Sequence, residues 1–151
     1  MDLAAELPRL LPQAIEWAQN QAEEALAVGR PLGPAALENA RRVGVAALHR
    51  IRVKVVDALP LPDNPVLKEA ALQAGLLGPG MIGLTLGYAI FICKGHLDLR
   101  ILSHESRHVY QYESNGGIAG FLPIYLAEVV TVGYAGSTFE ADARNHEVQP
   151  A

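Results

Sequence analysis

Cysteine is nearly absent from this chain, and its scarcity excludes two classes of small protein. Cys93 is the single cysteine among 151 residues, so neither an internal disulfide framework nor a cysteine-rich structural zinc site can form. The N-terminal segment also lacks the basic-then-apolar layout of a signal peptide. Because a lone thiol suits a reducing compartment, we expect a cytoplasmic protein.

Basic residues are also few and scattered. The chain has 12 lysines and arginines against 16 acidic residues, which leaves a net charge of −4. Apart from the pair Arg41 and Arg42, no basic residues cluster in a way that would form a patch for a phosphate backbone. We therefore exclude nucleic acid as a partner.

Charge is missing altogether from Ala70 to Cys93, a stretch long enough to cross a bilayer. Glycines and a proline interrupt it, and its second half alternates with a period of two instead of helical spacing. We therefore predict one extended strand from Met81 to Ile92 and do not expect membrane association. Small residues make one face of this strand nearly bare, which suits the close approach of another backbone: Gly83, Thr85, Gly87 and Ala89.

Hydrophobic residues make up 50% of the chain, enough for a sizeable core, and the length fits a single domain over residues 1–151. Apolar spacing and turn residues predict helices at about 10–28, 34–47, 66–74, 98–112, 118–132 and from 137 onward, with a short strand at 51–55. The predicted class is α+β, mostly helical with a small sheet. Residues 1–30 are either part of this domain or a helical arm that packs separately.

The most informative motif is His104-Glu105-Ser106-Arg107-His108, which has the pattern H-E-x-x-H. On a helix that begins after Asp98, residues four apart lie one above the other, so both imidazoles can reach one zinc ion. Glu105, one residue after the first histidine, is placed to take a proton from a water in the open zinc position. The motif therefore indicates a zinc hydrolase.

A catalytic zinc site needs a third protein ligand, and we predict Glu140 on a later helix. Asp142 is the nearest competitor. The segment Ser137-Thr138-Phe139-Glu140 also matches a capping box, in which Glu140 would only reach back to the Ser137 N–H and start the helix. Residue types and spacing leave these alternatives open.

His104, Glu105, His108 and the segment from Phe139 to Ala143 resemble the zincin metallopeptidases, in particular compact gluzincins, over roughly residues 83–144. The resemblance implies a zincin-like fold whose strand flanks the active-site helix, zinc as cofactor, Glu140 as third ligand and a peptide or protein substrate paired with that strand. Family members also carry a transition-state donor, for which Tyr134 is our candidate. Arg144 departs from the acidic residue that larger gluzincins often place there, which leaves Asp142 or Glu128 to orient a histidine.

We therefore expect a zinc metallopeptidase that cleaves peptide bonds through a zinc-bound water activated by Glu105. Two alternatives remain. The chain could be a non-catalytic, zinc-stabilised module whose apolar stretch from Leu84 to Ile92 binds a partner or a membrane. It could also be a latent peptidase blocked by its own N-terminal segment.

Overall fold

A computed structural model describes residues 1–149 of the protein. Within this part of the chain, six α-helices and a three-stranded sheet fit the predicted α+β class. In chain order the elements are α1 (Leu3–Val28), α2 (Pro34–Arg42), β1 (Arg52–Val56), α3 (Pro65–Gln73), β2 (Gly83–Leu86), β3 (Ala89–Cys93), α4 (Leu99–Ser114), α5 (Gly117–Val132) and α6 (Thr138–Asn145). A single 3-10 turn, Leu48–Arg50, precedes β1.

The sheet has the strand order β1-β3-β2, so β3 is central and β2 lies at one edge. β1 runs parallel to β3, while β2 is antiparallel to it. The central strand is apolar because both of its faces are covered: from Ala89 to Ile92 every residue is at most 1% exposed.

Alternate side chains of β3 point to opposite faces of the sheet and enter two separate clusters. Ile90 and Ile92 pack with residues of β1, α2 and α4, among them Val53, Ala40, Leu102 and Val109. Ala89 and Phe91 pack with α1 and α5 through Ala18, Ala22, Ala25 and Leu122. The sheet therefore lies between two helical layers, one of which contains the helix with the H-E-x-x-H motif.

The predicted single strand from Met81 to Ile92 is wrong, because the chain reverses within it. β2 and β3 form a hairpin around Gly87 and Tyr88, and Gly87 has φ +65°, a conformation that glycine adopts without strain. The strands of this hairpin are largely buried, so the stretch from Leu84 to Ile92 belongs mainly to the core instead of forming an apolar surface.

Two helices have bounds that differ from the sequence-based ones. α1 begins at Leu3, where Asp2 accepts a hydrogen bond from the Ala5 N–H, and it tolerates Pro8 and Pro12 at exposed positions. α2 ends at Arg42, because Gly44 with φ +105° turns the chain away. A side chain at Gly44 would also meet the Tyr110 ring at 2.9 Å.

No single helix within residues 1–149 combines the length and apolarity that crossing a membrane requires. Only α4 and α5 taken together meet that criterion, and the chain bends by 108° between them.

Candidate metal centre

The histidines of the motif lie on α4, the helix that packs against the edge strand β2. Asp98 caps α4 by accepting a hydrogen bond of 2.8 Å from the Ile101 N–H, as predicted. Both imidazoles lie on one side of this helix, with ring centroids 5.1 Å apart. His108 is buried and His104 is half-buried. The site is therefore open to solvent on the side of His104, the histidine nearer the N-terminus of α4.

Glu140 reaches the same point from α6. Its Oε1 lies 3.3 Å from His104 Nε2 and 3.2 Å from His108 Nε2. One ligand atom from each of the three residues fits within a span of 4.8 Å, so the group could hold a metal ion. Glu140 is 32 residues after His108 in the sequence, and the packing of α6 against α4 brings it to the histidines.

Glu140 does not form the capping box. Ser137 caps α6 by accepting a hydrogen bond of 3.2 Å from the Glu140 N–H, but the Glu140 side chain turns toward the histidines. Its remaining contacts are hydroxyls: Tyr125 donates to Oε2 at 2.8 Å and Tyr134 donates to Oε1 at 3.2 Å. The capping reading, in which Glu140 reaches back to the Ser137 N–H, is therefore wrong, because that N–H binds the Tyr134 carbonyl and Ser137 alone caps the helix.

Asp142 points elsewhere. Its carboxylate binds the Arg107 guanidinium, with Nε to Oδ2 at 2.8 Å, and it accepts a hydrogen bond from Gln111 Nε2 at 2.9 Å. These partners hold the pKa of Asp142 below its usual value, although its partial burial acts in the opposite direction. Asp142 is thus not in the three-residue group, and it contacts His108 indirectly, through Gln111.

The outer nitrogen of each imidazole faces an oxygen. His104 Nδ1 lies 2.8 Å from Glu147 Oε2, and His108 Nδ1 lies 2.7 Å from Gln111 Oε1. The Gln111 amide is oriented by its own donor group, which binds the Phe139 carbonyl at 3.0 Å and Asp142. Both oxygens are acceptors, so each Nδ1 carries a proton.

It follows that the Nε2 atoms of neutral His104 and His108 are acceptors, and that they converge on an acceptor oxygen of Glu140. Three lone pairs at this spacing repel one another unless a cation lies among them. Either extra protons or a metal ion can supply the positive charge. Two imidazole nitrogens and one carboxylate oxygen are ligands that suit zinc and similar divalent ions.

The pKa values of His104 and Glu140 without a metal ion also show that this group favours a positive charge. Burial alone would lower the pKa of His104, but the hydrogen bonds to Glu140 and Glu147 and the charge of Glu105 outweigh it and raise this pKa to about 9. Burial alone would raise the pKa of Glu140, yet the two histidines hold it well below its usual range. Without a metal ion, protonated imidazoles supply the positive charge beside Glu140.

Glu105 lies beside this group without joining it. Its Oε2 is 3.9 Å from His104 Nε2, and its Oε1 accepts a hydrogen bond of 2.9 Å from Thr85 Oγ1 on β2. A methyl group at Gly83 would come within 2.9 Å of Glu105 Oε2, so the absence of a side chain there leaves the carboxylate its room. Burial raises the pKa of Glu105, which makes its carboxylate a stronger base.

Two other glutamates, Glu113 and Glu128, have structural roles. Glu113 accepts hydrogen bonds from the N–H groups of Ala46 and Ala47 and from the Tyr88 hydroxyl. Glu128 binds the start of α6 through the hydroxyls of Ser137 and Thr138. The suggestion that Glu128 orients a histidine is therefore wrong.

Four residues of the site did not emerge from the sequence: Thr85, Gln111, Tyr125 and Glu147. Gln111 lies three residues after His108, a spacing that places both side chains on one helical face and could have identified it. Glu147 follows the end of α6, where the Val148 N–H donates to Ser103 Oγ at 2.8 Å and ties the tail to α4. No local pattern marks such a contact.

An open cleft and an apolar cavity both border the group formed by His104, His108 and Glu140. An open, mixed-polarity cleft of about 510 Å³ reaches His104 between the segments 80–83 and 95–101, with Glu147 on its wall. On the other side a cavity of about 140 Å³ reaches His108 and Glu140. Glu105 and Tyr134 border both spaces.

Comparisons of this chain with protein-family models, with curated proteins and with solved structures find no match.

Proposed function

We propose that the protein is a zinc-dependent peptidase of a compact, zincin-like type, with His104, His108 and Glu140 as zinc ligands. The observation that carries this proposal is the convergence of both Nε2 atoms and Glu140 Oε1, each with a lone pair directed at one point. The acceptors at both Nδ1 atoms hold each imidazole with Nε2 toward the same point, an arrangement that is usual for histidine ligands of a metal ion.

The ligand set leaves a coordination position free. Three protein ligands are typical of catalytic zinc, whereas structural zinc has four. When bound, zinc would supply Lewis acidity and would lower the pKa of a coordinated water toward about 7. The cleft beside His104 gives solvent and substrate access to that position.

Glu105 is the general base in this proposal. It lies in the cleft next to His104, its raised pKa favours proton uptake, and Thr85 fixes its orientation. Its carboxylate takes a proton from the attacking water and returns it to the leaving amine. Tyr134, whose hydroxyl lies 3.2 Å from Glu140 Oε1 and which borders the cleft, is the proposed donor to the developing oxyanion.

The position of β2 favours a peptide as the substrate. β2 is one of the two edge strands of the sheet, pairs with β3 on one side only and borders the cleft at Gly83. An extended peptide can add to such an edge by backbone hydrogen bonds, with its carbonyl groups passing close to Glu105. The resemblance to zincins likewise implies a strand that flanks the active-site helix and pairs with a substrate peptide.

Replacement of Glu105 tests the proposal. Glu105→Gln should keep bound zinc, measured by elemental analysis, and should lose about 10²- to 10⁴-fold in kcat/KM on a peptide library hydrolysed by the parent. Glu113→Gln removes a partly buried carboxylate from the same helix but away from the site, and should retain turnover when both variants are folded. Equal cleavage by Glu105→Gln and the parent would reject the hydrolase mechanism. Zinc binding by a parent that cleaves nothing would favour the non-catalytic module.

A further inference from the structure

The cavity behind the metal centre extends between the N-terminal helix, α3 and α5. Most of its wall is apolar and comes from elements outside the H-E-x-x-H region, including Leu10, Ala14 and Trp17 of α1 and Leu67 and Ala71 of α3. The other end of the cavity is closed by Glu105, His108 and Glu140. A hydrocarbon group that entered it would therefore remain next to the reacting atoms.

Polarity in the cavity changes sharply along its length. Almost all polar side chains on its wall belong to the hydrogen-bonded network at the metal centre: Thr85, Glu105, His108, Tyr125, Tyr134 and Glu140. The remaining wall consists mainly of leucine, alanine and aromatic side chains. Such a wall offers water almost no hydrogen-bond partners, so it favours an apolar occupant.

The size of the cavity limits that occupant. A volume of about 140 Å³ is close to the roughly 150 Å³ of an apolar cavity that binds benzene. It therefore suits a hydrocarbon group of about six carbon atoms. Single small side chains would leave it partly empty, and the part of a chain beyond about six carbons would gain no further contact with its wall.

The backbone of the wall carries strain at one point. Leu77 has φ +61°, the left-handed conformation that a leucine rarely adopts, and its side chain is buried against the cavity. The Leu77 N–H lies 3.2 Å from the sulfur of Met81, another wall residue. Strained conformations of this kind persist where the surrounding structure imposes them, often at binding sites.

Building on the proposed peptidase function, we propose that this cavity binds a hydrocarbon group of about six carbons on the substrate, next to the bond that is cleaved, and that α1 sets its length. The N-terminal helix is then part of the substrate site and not an arm that blocks it. The group can come from a large aliphatic or aromatic side chain of a peptide or from an acyl chain on an amide.

Trp17 provides a direct readout, because it is the single tryptophan of the chain and lines the cavity. Straight-chain hydroxamic acids from two to ten carbons are titrated into zinc-loaded protein while Trp17 fluorescence and affinity are followed. Affinity should rise roughly fourfold per methylene up to about six carbons and then level off. The matching primary amides, titrated into metal-free protein, should show the same dependence on length with weaker overall affinity.

Two variants that fill part of the cavity test whether the hydrocarbon group binds there. Ala14→Leu on α1 and Ala71→Leu on α3 each add a side chain from a different wall, so one remains informative where the other fails to fold. In either variant, affinity should level off at a shorter chain length, and acetohydroxamic acid binding should be unchanged. Ala27→Leu, at an exposed position near the end of α1, is the matched control, and its affinity should level off at the same chain length as in the parent.

The outcomes separate the two proposals. Affinity that does not depend on chain length, or a length dependence that neither filling variant changes, overturns the cavity as a hydrocarbon site. Hydroxamic acids that bind zinc-loaded protein no better than amides count against the metal centre while leaving the length test intact. Cleavage of hexanoyl amides compared with peptides that carry leucine or phenylalanine then identifies which source of hydrocarbon the site uses.

Discussion

Glu147 Oε2 lies 2.8 Å from His104 Nδ1, while Nε2 of the same imidazole faces Glu140. The ring is thus held between two carboxylates. Glu140 lies in the first turn of α6, and Glu147 lies in the segment that follows the end of this helix. Glu147 also binds Arg100 Nε at 2.7 Å and accordingly has a lowered pKa, despite burial that acts against this. Its negative charge makes His104 a better ligand for a cation.

Removal of Glu147 should weaken metal binding without removing a ligand. We expect Glu147→Ala to lower zinc affinity by about 10- to 100-fold, because His104 loses the acceptor that orients its ring. Competition with a chromogenic chelator measures this change. Arg100→Ala is the control, since it removes only the exposed ion pair with Glu147, and its zinc affinity should stay within about threefold of the parent. An equal loss in both variants would contradict the proposed orientation of His104.

The two roles of the segment from Ser137 to Glu140 can be separated. Glu140→Ala should abolish tight zinc binding, since it removes one of three ligands. Ser137→Ala should keep zinc and cost about 1 kcal/mol of unfolding free energy, because it removes the helix cap. Elemental analysis and urea unfolding measure the two effects. Loss of zinc in Ser137→Ala alone would show that the capping role is the important one.

Gly83 provides a steric test of the base. In Gly83→Ala the new methyl group would lie 2.9 Å from Glu105 Oε2 and 3.2 Å from Ile101 Cδ1, so the carboxylate must move. We expect zinc content to be unchanged and kcat/KM to fall on the order of 10²-fold. Gly33→Ala is the matched control, because a methyl group there meets no atom within 4 Å. Full activity in Gly83→Ala would mean that the position of Glu105 is not critical.

Glu113 should affect stability in a pH-dependent way. Burial alone would raise its pKa, but the hydrogen bonds from Tyr88, Ala46 and Ala47 lower it. Its stabilising effect is therefore complete above the ordinary pKa of a glutamate, about 4.3, and disappears as the pH falls through the lower value of the folded state.

Glu113→Gln places an amide NH₂ against a backbone donor and should lose roughly 1–2 kcal/mol of unfolding free energy at pH 7. Urea unfolding at pH 7 and near pH 3 should show this difference shrinking in acid. Glu38→Gln breaks only an exposed pair with Arg41, so its effect should stay below about 0.5 kcal/mol at either pH. A difference for Glu113→Gln that is the same at both pH values would contradict the charged role.

Local chemistry explains which elements were predictable. Asp98 and Ser137 each cap the helix that follows, and their side-chain oxygens lie within three residues of the N–H groups they bind. The α4 histidines share a face because four residues complete about one helical turn. By contrast, the alternating pattern from Met81 to Ile92 fits one long strand as well as two short ones. The chain forms a hairpin there, with Gly87 at a positive φ in the turn.

For the site, short-range spacing already identified His104, Glu105 and His108 as a unit, because they lie on one helix whose geometry is regular. Other features of the site depend on how separate elements pack. These are the position of Glu140 in place of Asp142 beside the histidines, the contact of Glu147 with His104, and the apolar cavity lined by α1. Contacts between distant parts of a chain follow no period along it, since they depend on the burial of whole helix faces against the sheet. Such contacts are therefore visible only in three dimensions.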